Sequence, residues 1–160
     1  MNTADIFAPV STTDDYAHAT TAGDEAHATT TGAYAHAATA GDYAHATTTG
    51  DYAHATTTGA YAQAATAGRL TYATTTGIFA HATATGDHAR ASVAGENAIA
   101  AAFGANSRAR AADGGFIVLA QYSPDGDTVV AVKTAQVGKD GIKPDTWYRL
   151  DATGEFIESE

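Results

Sequence analysis

Along most of the chain, small apolar residues alternate with polar ones inside a unit of nine residues that closes on glycine. The unit is clearest at residues 42–50, Asp-Tyr-Ala-His-Ala-Thr-Thr-Thr-Gly, and residues 51–59 repeat it at once. Alanine fills the third and fifth positions of nearly every unit. Because successive side chains of a β-strand point to opposite faces, this alternation predicts strands with alanine facing inward and the second and fourth residues facing outward. The glycine marks a turn, where we expect a positive φ.

A short period sustained over most of a chain predicts a repeat architecture, in which each unit buries its inner face against its neighbours. The regular glycines and clustered threonines argue against a helix, and the regularity of the repeats argues against disorder. We therefore expect an all-β fold, with a β-solenoid over residues 15–113. Two units would form one flattened coil, giving about five to six coils. The sequence of residues 33–41 recurs almost unchanged at residues 60–68, three units later. Duplication of a three-unit block is the favoured explanation, and a coil with three sides is the alternative.

Both ends of a solenoid expose unpaired strand edges and need covers. Residues 1–14, with Ile6, Phe7 and Pro9, are predicted to cap the first coil. Residues 114–160 differ in composition, since they hold the only tryptophan and most of the large aliphatic side chains. Turn-forming residues divide this segment into strands near 116–122, 128–137, 146–150 and 155–157. It is predicted to be a small antiparallel β-meander that acts as a C-terminal cap or docking domain.

The charge of the chain is negative and uneven. The 160 residues carry a formal net charge of -10 at pH 7, and no Lys or Arg precedes Arg69. Direct binding to nucleic acid is not expected, because it needs a basic surface. A basic protein partner is expected instead. The alternative is that the acids only keep a repetitive surface soluble and unassociated. We expect neither a signal peptide nor a membrane span, and therefore a location in the host cytoplasm or in a virion assembled there.

The sequence also resembles a group of known proteins. The repeats decay through Ala91-Ser92-Val93-Ala94-Gly95-Glu96, and the tail contains Ile142-Lys143-Pro144-Asp145-Thr146-Trp147-Tyr148. Both features are similar to small repeat proteins encoded by bacteriophages and prophages, and this resemblance covers nearly the whole chain. It implies a phage setting and no enzymatic activity. The Tyr-x-His-Ala element is more distantly similar to the longer repeats of phage tail-spikes and trimeric adhesin heads.

Stacked coils place equivalent side chains above one another, so each outward position becomes a column. We expect two histidine columns, His18 with His36 and His54 on one side, and His27 with His45 and His81 on the other. Neighbouring imidazoles suit a divalent metal, but two of them supply too few ligands for a closed tetrahedral site. A structural ladder with lowered histidine pKa is favoured, and no metal or cofactor is predicted.

Three further columns are candidates for function. Outward tyrosines suit stacking on sugars or anchoring a protein interface, although packing between coils also favours them. Thr-x-Thr pairs such as Thr47 with Thr49 resemble the ice-binding surfaces of antifreeze proteins, although β-propensity alone explains threonine on a strand. Acids at the first position of the unit could imitate the charge of a DNA duplex.

These columns predict a non-enzymatic binding protein, since the chain has no nucleophile elbow, phosphate-binding loop or paired carboxylates. The leading hypothesis is a phage protein that inhibits or sequesters a host nucleic-acid-handling protein through an acidic face lined by Tyr and His. The predicted contact residues are Asp24, Asp42, Asp51, Tyr34, Tyr43, Tyr52, Tyr61, His36, His45 and His54. The alternatives are a structural or receptor-binding virion component, in homotrimeric form, and an ice-binding protein.

Overall fold

A computed structural model describes residues 9–159 of the chain, and within that range it contains sixteen β-strands and no helix. The strands are β1 (Val10–Thr12), β2 (His18–Ala22), β3 (His27–Thr31), β4 (His36–Ala40), β5 (His45–Thr49), β6 (His54–Thr58), β7 (Gln63–Ala67), β8 (Tyr72–Thr75), β9 (His81–Thr85), β10 (Arg90–Val93), β11 (Ile99–Phe103), β12 (Arg108–Ala111), β13 (Phe116–Tyr122), β14 (Val129–Gln136), β15 (Tyr148–Leu150) and β16 (Phe156–Glu158).

Successive strands alternate between two eight-stranded sheets. Sheet 1 has the order β1-β3-β5-β7-β9-β11-β13-β14, and sheet 2 has the order β16-β15-β12-β10-β8-β6-β4-β2. Within the repeats each strand pairs in parallel with the strand two further along the chain, so that His18 lies opposite His36. Two nine-residue units therefore make one coil. The predicted β-solenoid with two-sided coils is confirmed, and the triangular alternative is wrong.

The space between the sheets is filled by small side chains. The alanines at the third and fifth positions are buried as predicted, for example Ala44 and Ala46, both 0% exposed. The seventh position, which the sequence analysis did not assign, also faces inward and carries threonine in most units, as at Thr48. Larger residues enter the core only towards the C-terminal end, where Ile117 and Leu119 are buried. The core of the repeat body is therefore a thin layer of methyl groups and hydroxyls.

The turns between strands use the left-handed region of backbone space twice. Glycine has a positive φ as expected, for instance 140° at Gly50. The residue two positions later also has a positive φ, 60° at Tyr52 and 58° at Tyr43. The tyrosines were predicted to point outward from strands. They are exposed, but they lie in the turns, immediately before the strands.

The glycines are required by close packing as well as by conformation. A Cβ built on Gly50 would overlap the carbonyl group of Gly32 in the neighbouring coil. A Cβ built on Gly77 would likewise overlap the carbonyl group of Gly59, although φ at Gly77 lies outside the left-handed region. Glycine thus recurs because the turns of successive coils touch backbone to backbone.

At the ends of the solenoid, the predicted antiparallel C-terminal cap is confirmed, but it is not a single meander. The proposed contacts of Ile6 and Phe7 lie outside the described residues, and the described part of the N-terminal segment adds β1 in parallel to β3. At the other end β13 continues sheet 1 in parallel, with Phe116 opposite Ile99. The antiparallel hairpins β13–β14 and β15–β16 then close sheet 1 and sheet 2 separately. They form two caps, because strand β14 belongs to sheet 1 and strand β15 pairs with β12 in sheet 2.

Candidate functional site: two aromatic and acidic edges

The turns of the flattened coils form two opposite edges of the solenoid. We call edge 1 the turns that lead into sheet 1; their left-handed residues are Glu25, Tyr43, Tyr61, Phe79 and Asn97. We call edge 2 the turns that lead into sheet 2; their left-handed residues are Tyr16, Tyr34, Tyr52, Leu70, His88 and Asn106. Because the offset between coils is two units, tyrosines eighteen residues apart belong to the same edge.

On each edge the aromatic rings stack into a continuous column. On edge 1 the ring centroids are 5.0 Å apart for Tyr43 and Tyr61, and 5.3 Å apart for Tyr61 and Phe79. On edge 2, Tyr34 lies 5.0 Å from Tyr16 and 4.8 Å from Tyr52. The left-handed backbone of each turn directs these rings away from the core, and Tyr43 is 52% exposed while Phe79 is 41% exposed. The columns therefore offer rigid aromatic surface to a ligand.

The histidines form the predicted ladders on the outer faces of the sheets. On sheet 2, His36 stacks between His18 at 4.9 Å and His54 at 4.7 Å, and Tyr72 continues the column 4.7 Å beyond His54. On sheet 1, His27 stacks on His45 at 4.7 Å. His81 shares this column but is separated from His45 by Gln63.

The ladder environment lowers the pKa of three of these imidazoles. Partial burial, followed by repulsion from the neighbouring imidazole, lowers the pKa of His36, His45 and His54. The lowered pKa favours the neutral form of these three imidazoles at physiological pH. The sequence analysis predicted the repulsion between neighbours but not the larger effect of burial.

The acids at the first position of the unit lie in the turns beside the aromatic columns. Asp24 and Asp42 occupy adjacent coils of edge 1, and no Lys or Arg occupies a turn of that edge. On edge 2, by contrast, Asp51 is paired with Arg69, at 3.4 Å between Oδ2 and Nε. Edge 1 therefore carries its negative charge without a compensating cation in the same turns.

The structure divides the ten predicted contact residues into two groups that cannot meet one flat partner surface. Asp24, Asp42, Tyr43, Tyr61 and His45 lie on edge 1 and the adjoining start of sheet 1. Asp51, Tyr34, Tyr52, His36 and His54 lie on edge 2 and the adjoining start of sheet 2. The single acidic face lined by Tyr and His is therefore corrected to two opposite faces.

Sequence reasoning missed two residues that belong with the first group. Ile78, 48% exposed, occupies the position of the aspartates, and Glu25 occupies the position of the tyrosines. Comparing residues eighteen positions apart, the offset of the observed Asp42–Ala60 contact, would have placed both on edge 1. We define the edge-1 surface as Asp24, Glu25, Asp42, Tyr43, Tyr61, Ile78 and Phe79.

The Thr-x-Thr pairs point outward as predicted, but they form no extended array. On sheet 1, the pair Thr29 and Thr31 adjoins Thr47 and Thr49, and the next strand has Ala65 and Ala67 instead. On sheet 2, Ala38 and Ala40 likewise precede the pair Thr56 and Thr58. Among the described strands no uninterrupted patch is more than two strands deep, and the pair Thr83 and Thr85 stands alone on β9.

Other chemistry is sparse in residues 9–159. They contain no group of three or more His, Asp or Glu side chains arranged to hold a metal ion. Over the same residues there is no helix long and apolar enough to cross a membrane. Comparison with protein-family models, with curated proteins and with solved structures found no match to this chain.

Proposed function

We propose that the chain is a non-enzymatic binding protein that holds a basic surface of another protein against the edge-1 surface, and so inhibits or sequesters it. The observation that supports this is the combination on one edge of a stacked aromatic column, Tyr43–Tyr61–Phe79, with uncompensated carboxylates at Asp24 and Asp42. Aromatic anchors surrounded by polar groups are the usual centres of protein interfaces. Negative charge at the rim speeds encounter with a basic partner.

The rigidity of the column favours tight binding. Its rings already stack on one another, so they lose little rotational freedom when a partner covers them, and less of the interaction energy is spent on ordering them. Tyr61, Ile78 and Phe79 provide adjoining apolar surface, and their exposed fractions are 44%, 48% and 41%. An exposed apolar group beside polar residues is typical of an interaction site.

The partner is proposed from chemistry and from the phage resemblance. A phage setting makes a host protein the proposed target, and proteins that handle nucleic acid carry basic grooves. The edge-1 surface carries three acids over four coils spaced ~4.8 Å apart, against one phosphate per ~1.7 Å in duplex DNA. We therefore propose docking on a basic patch through both charge and aromatic contact, without imitation of a whole duplex.

The experiment is a capture from nuclease-treated bacterial lysate with the wild-type chain and two matched double variants. Tyr43→Asn with Tyr61→Asn removes the edge-1 rings, and Tyr34→Asn with Tyr52→Asn removes the edge-2 rings. Asparagine is chosen because Asn97 and Asn106 already occupy the same left-handed position, at φ 54° and 57°. We expect one basic protein to be captured at low salt, released at high salt, and lost only in the edge-1 variant.

If both variants lose the captured protein equally, or both retain it equally, docking on edge 1 is contradicted. Co-purification of the chain with phage particles would instead favour the virion component. Reshaping of ice crystals by the wild-type chain, lost in Thr47→Val with Thr49→Val, would favour ice binding.

A further inference from the structure

Four of the five arginines of the chain gather at the C-terminal end of sheet 2. Arg90 on β10 lies directly opposite Arg108 on β12. Arg110 follows on β12, and Arg149 lies on β15, which pairs with β12. This concentration of cations is unusual in a chain with a formal net charge of -10.

The arginine side chains of β10 and β12 project from the outer face of the sheet, and two of them lie over one aromatic ring. The alternating residues Ala109 and Ala111 are buried, so Arg108 and Arg110 point outward. The guanidinium carbon of Arg110 lies 4.7 Å from the centroid of the Trp147 ring, and that of Arg90 lies 5.7 Å from it. Both cations are thus held over the only tryptophan of the chain.

Further contacts fix the positions of these guanidinium groups. Arg110 Nε donates a hydrogen bond to Ser92 Oγ at 2.9 Å. Arg90 also lies over the Tyr72 ring, 5.2 Å from its centroid, and that ring caps the histidine ladder of sheet 2. The groups are therefore preorganised by stacking and by a neutral hydroxyl.

The cluster lacks compensating charge at three of its members. Within residues 9–159 the ion pairs are Arg69 with Asp51 and Lys143 with Glu158, and neither involves Arg90, Arg110 or Arg149. Burial, followed by the positive charges of Arg90 and Arg149, lowers the pKa of Arg108. Cations that repel one another in fixed positions form a site for an anion.

We propose that Arg90, Arg110 and Arg149, which we call the arginine site, bind a compact phosphate-type oxyanion. A guanidinium group offers a planar fork of N–H donors that matches phosphate oxygens in pairs. Neighbouring guanidinium groups suit a dianion with three terminal oxygens better than a single carboxylate. The acids on the rest of the surface repel a long polyanion, which favours a small phosphate compound over a nucleic acid. This inference is independent of the proposed function, because the edge-1 surface shares no residue with the arginine site.

Trp147 allows the site to be tested directly. The full chain is titrated with inorganic phosphate and with pyrophosphate at constant ionic strength, and both Trp147 emission and the heat of binding are recorded. Sodium chloride is the control for ionic strength. We expect saturable binding of both phosphate compounds and none of chloride.

Variants assign the binding to named residues. Arg90→Gln with Arg110→Gln should weaken binding at least about tenfold, whereas Arg69→Gln, which removes an arginine elsewhere, should leave it unchanged. Arg110→Lys keeps the charge but loses the fork, and an intermediate affinity is expected. A circular dichroism spectrum and melting curve confirm that each variant is folded.

Three results would overturn the proposal. These are no heat and no change in Trp147 emission up to millimolar phosphate, undiminished binding by the folded Arg90→Gln/Arg110→Gln variant, and a response to chloride equal to that to phosphate. Binding of a duplex oligonucleotide without binding of either small phosphate compound would also overturn it, in favour of a nucleic-acid contact.

Discussion

The Asp42 carboxylate accepts a hydrogen bond from the backbone amide of Ala60, at 2.8 Å, across the gap between neighbouring coils. The same contact recurs from Asp15, Asp24, Asp51 and Asp87 to the amides of Ala33, Asp42, Arg69 and Ala105. These amides lie in turns, outside the strand ladders, and a carboxylate supplies the acceptor that each of them needs. The aspartates therefore join the coils at the edges as well as giving the surface its charge.

This contact predicts a difference between two substitutions at Asp42. Asp42→Ala should lower the free energy of unfolding by about 1 kcal/mol, because the Ala60 amide loses its acceptor. Asp42→Asn keeps an acceptor oxygen and should lose less. Chemical denaturation of both variants measures this, with Glu96→Ala as the control at the same position of the unit. An equal loss of stability in Asp42→Asn would mean that the charge of Asp42, rather than its hydrogen bond, stabilises the fold.

Much of the repeat body could be predicted because its period is direct evidence of its geometry. The alternation around Ala44 and Ala46 specified the inner face, and the spacing of His18, His36 and His54 specified a ladder. Neither conclusion needed tertiary information, since each coil repeats the last. The division of Tyr34 and Tyr43 between opposite edges follows from the two-sided coil, and was missed because the tyrosines were treated as one column.

The caps and the turn conformation were less predictable for physical reasons. A left-handed φ at Tyr52 contradicts the usual preference of bulky residues, and the Tyr52 amide donates a hydrogen bond to the Arg69 carbonyl of the next coil. The turn-forming residues between β13 and β14 predicted the antiparallel pairing of these two strands. The pairing of β15 with β12 depends on which open sheet edge the strand reaches. Local sequence carries no information on that choice.

The glycine column predicts that steric overlap with the neighbouring coil lowers the free energy of unfolding more than a left-handed φ does. Gly77→Ala places a Cβ against the carbonyl of Gly59, although φ at Gly77 is outside the left-handed region. Gly126→Ala imposes a left-handed φ of 83° on alanine, but its Cβ would enter open space. We expect losses of about 3 kcal/mol or more for Gly77→Ala and about 1 kcal/mol for Gly126→Ala. Urea denaturation measures both, and a larger loss in Gly126→Ala would contradict the crowding argument.

The buried threonines predict a stabilising substitution. Thr48 is 0% exposed, and its hydroxyl has no hydrogen-bond partner among the described residues. Thr48→Val keeps the shape of the side chain and removes the unpaired hydroxyl, so it should raise the free energy of unfolding by about 1 kcal/mol. Thr66 is the matched control, because its hydroxyl donates to Thr71 Oγ1 at 2.9 Å and Thr66→Val should bring no such gain. Destabilisation by Thr48→Val would show that the hydroxyl is satisfied in solution.

The histidine ladder predicts that the fold loses stability in mild acid. The folded state lowers the pKa of His36, His45 and His54 below the ordinary histidine value of about 6.5, so the unfolded chain binds more protons as the pH falls through this value. The free energy of unfolding should therefore decrease from neutral pH to about pH 5, above the range in which most carboxylates titrate. The triple variant His18→Gln/His36→Gln/His54→Gln should reduce this dependence, and glutamine is tolerated in the ladder position because Gln63 already lies opposite His45. His88→Asn, which removes a histidine outside the ladders, is the control. Melting curves between pH 7.5 and about pH 5 measure the effect, and an unchanged slope in the triple variant would mean that stacked imidazoles do not control the acid sensitivity of the fold.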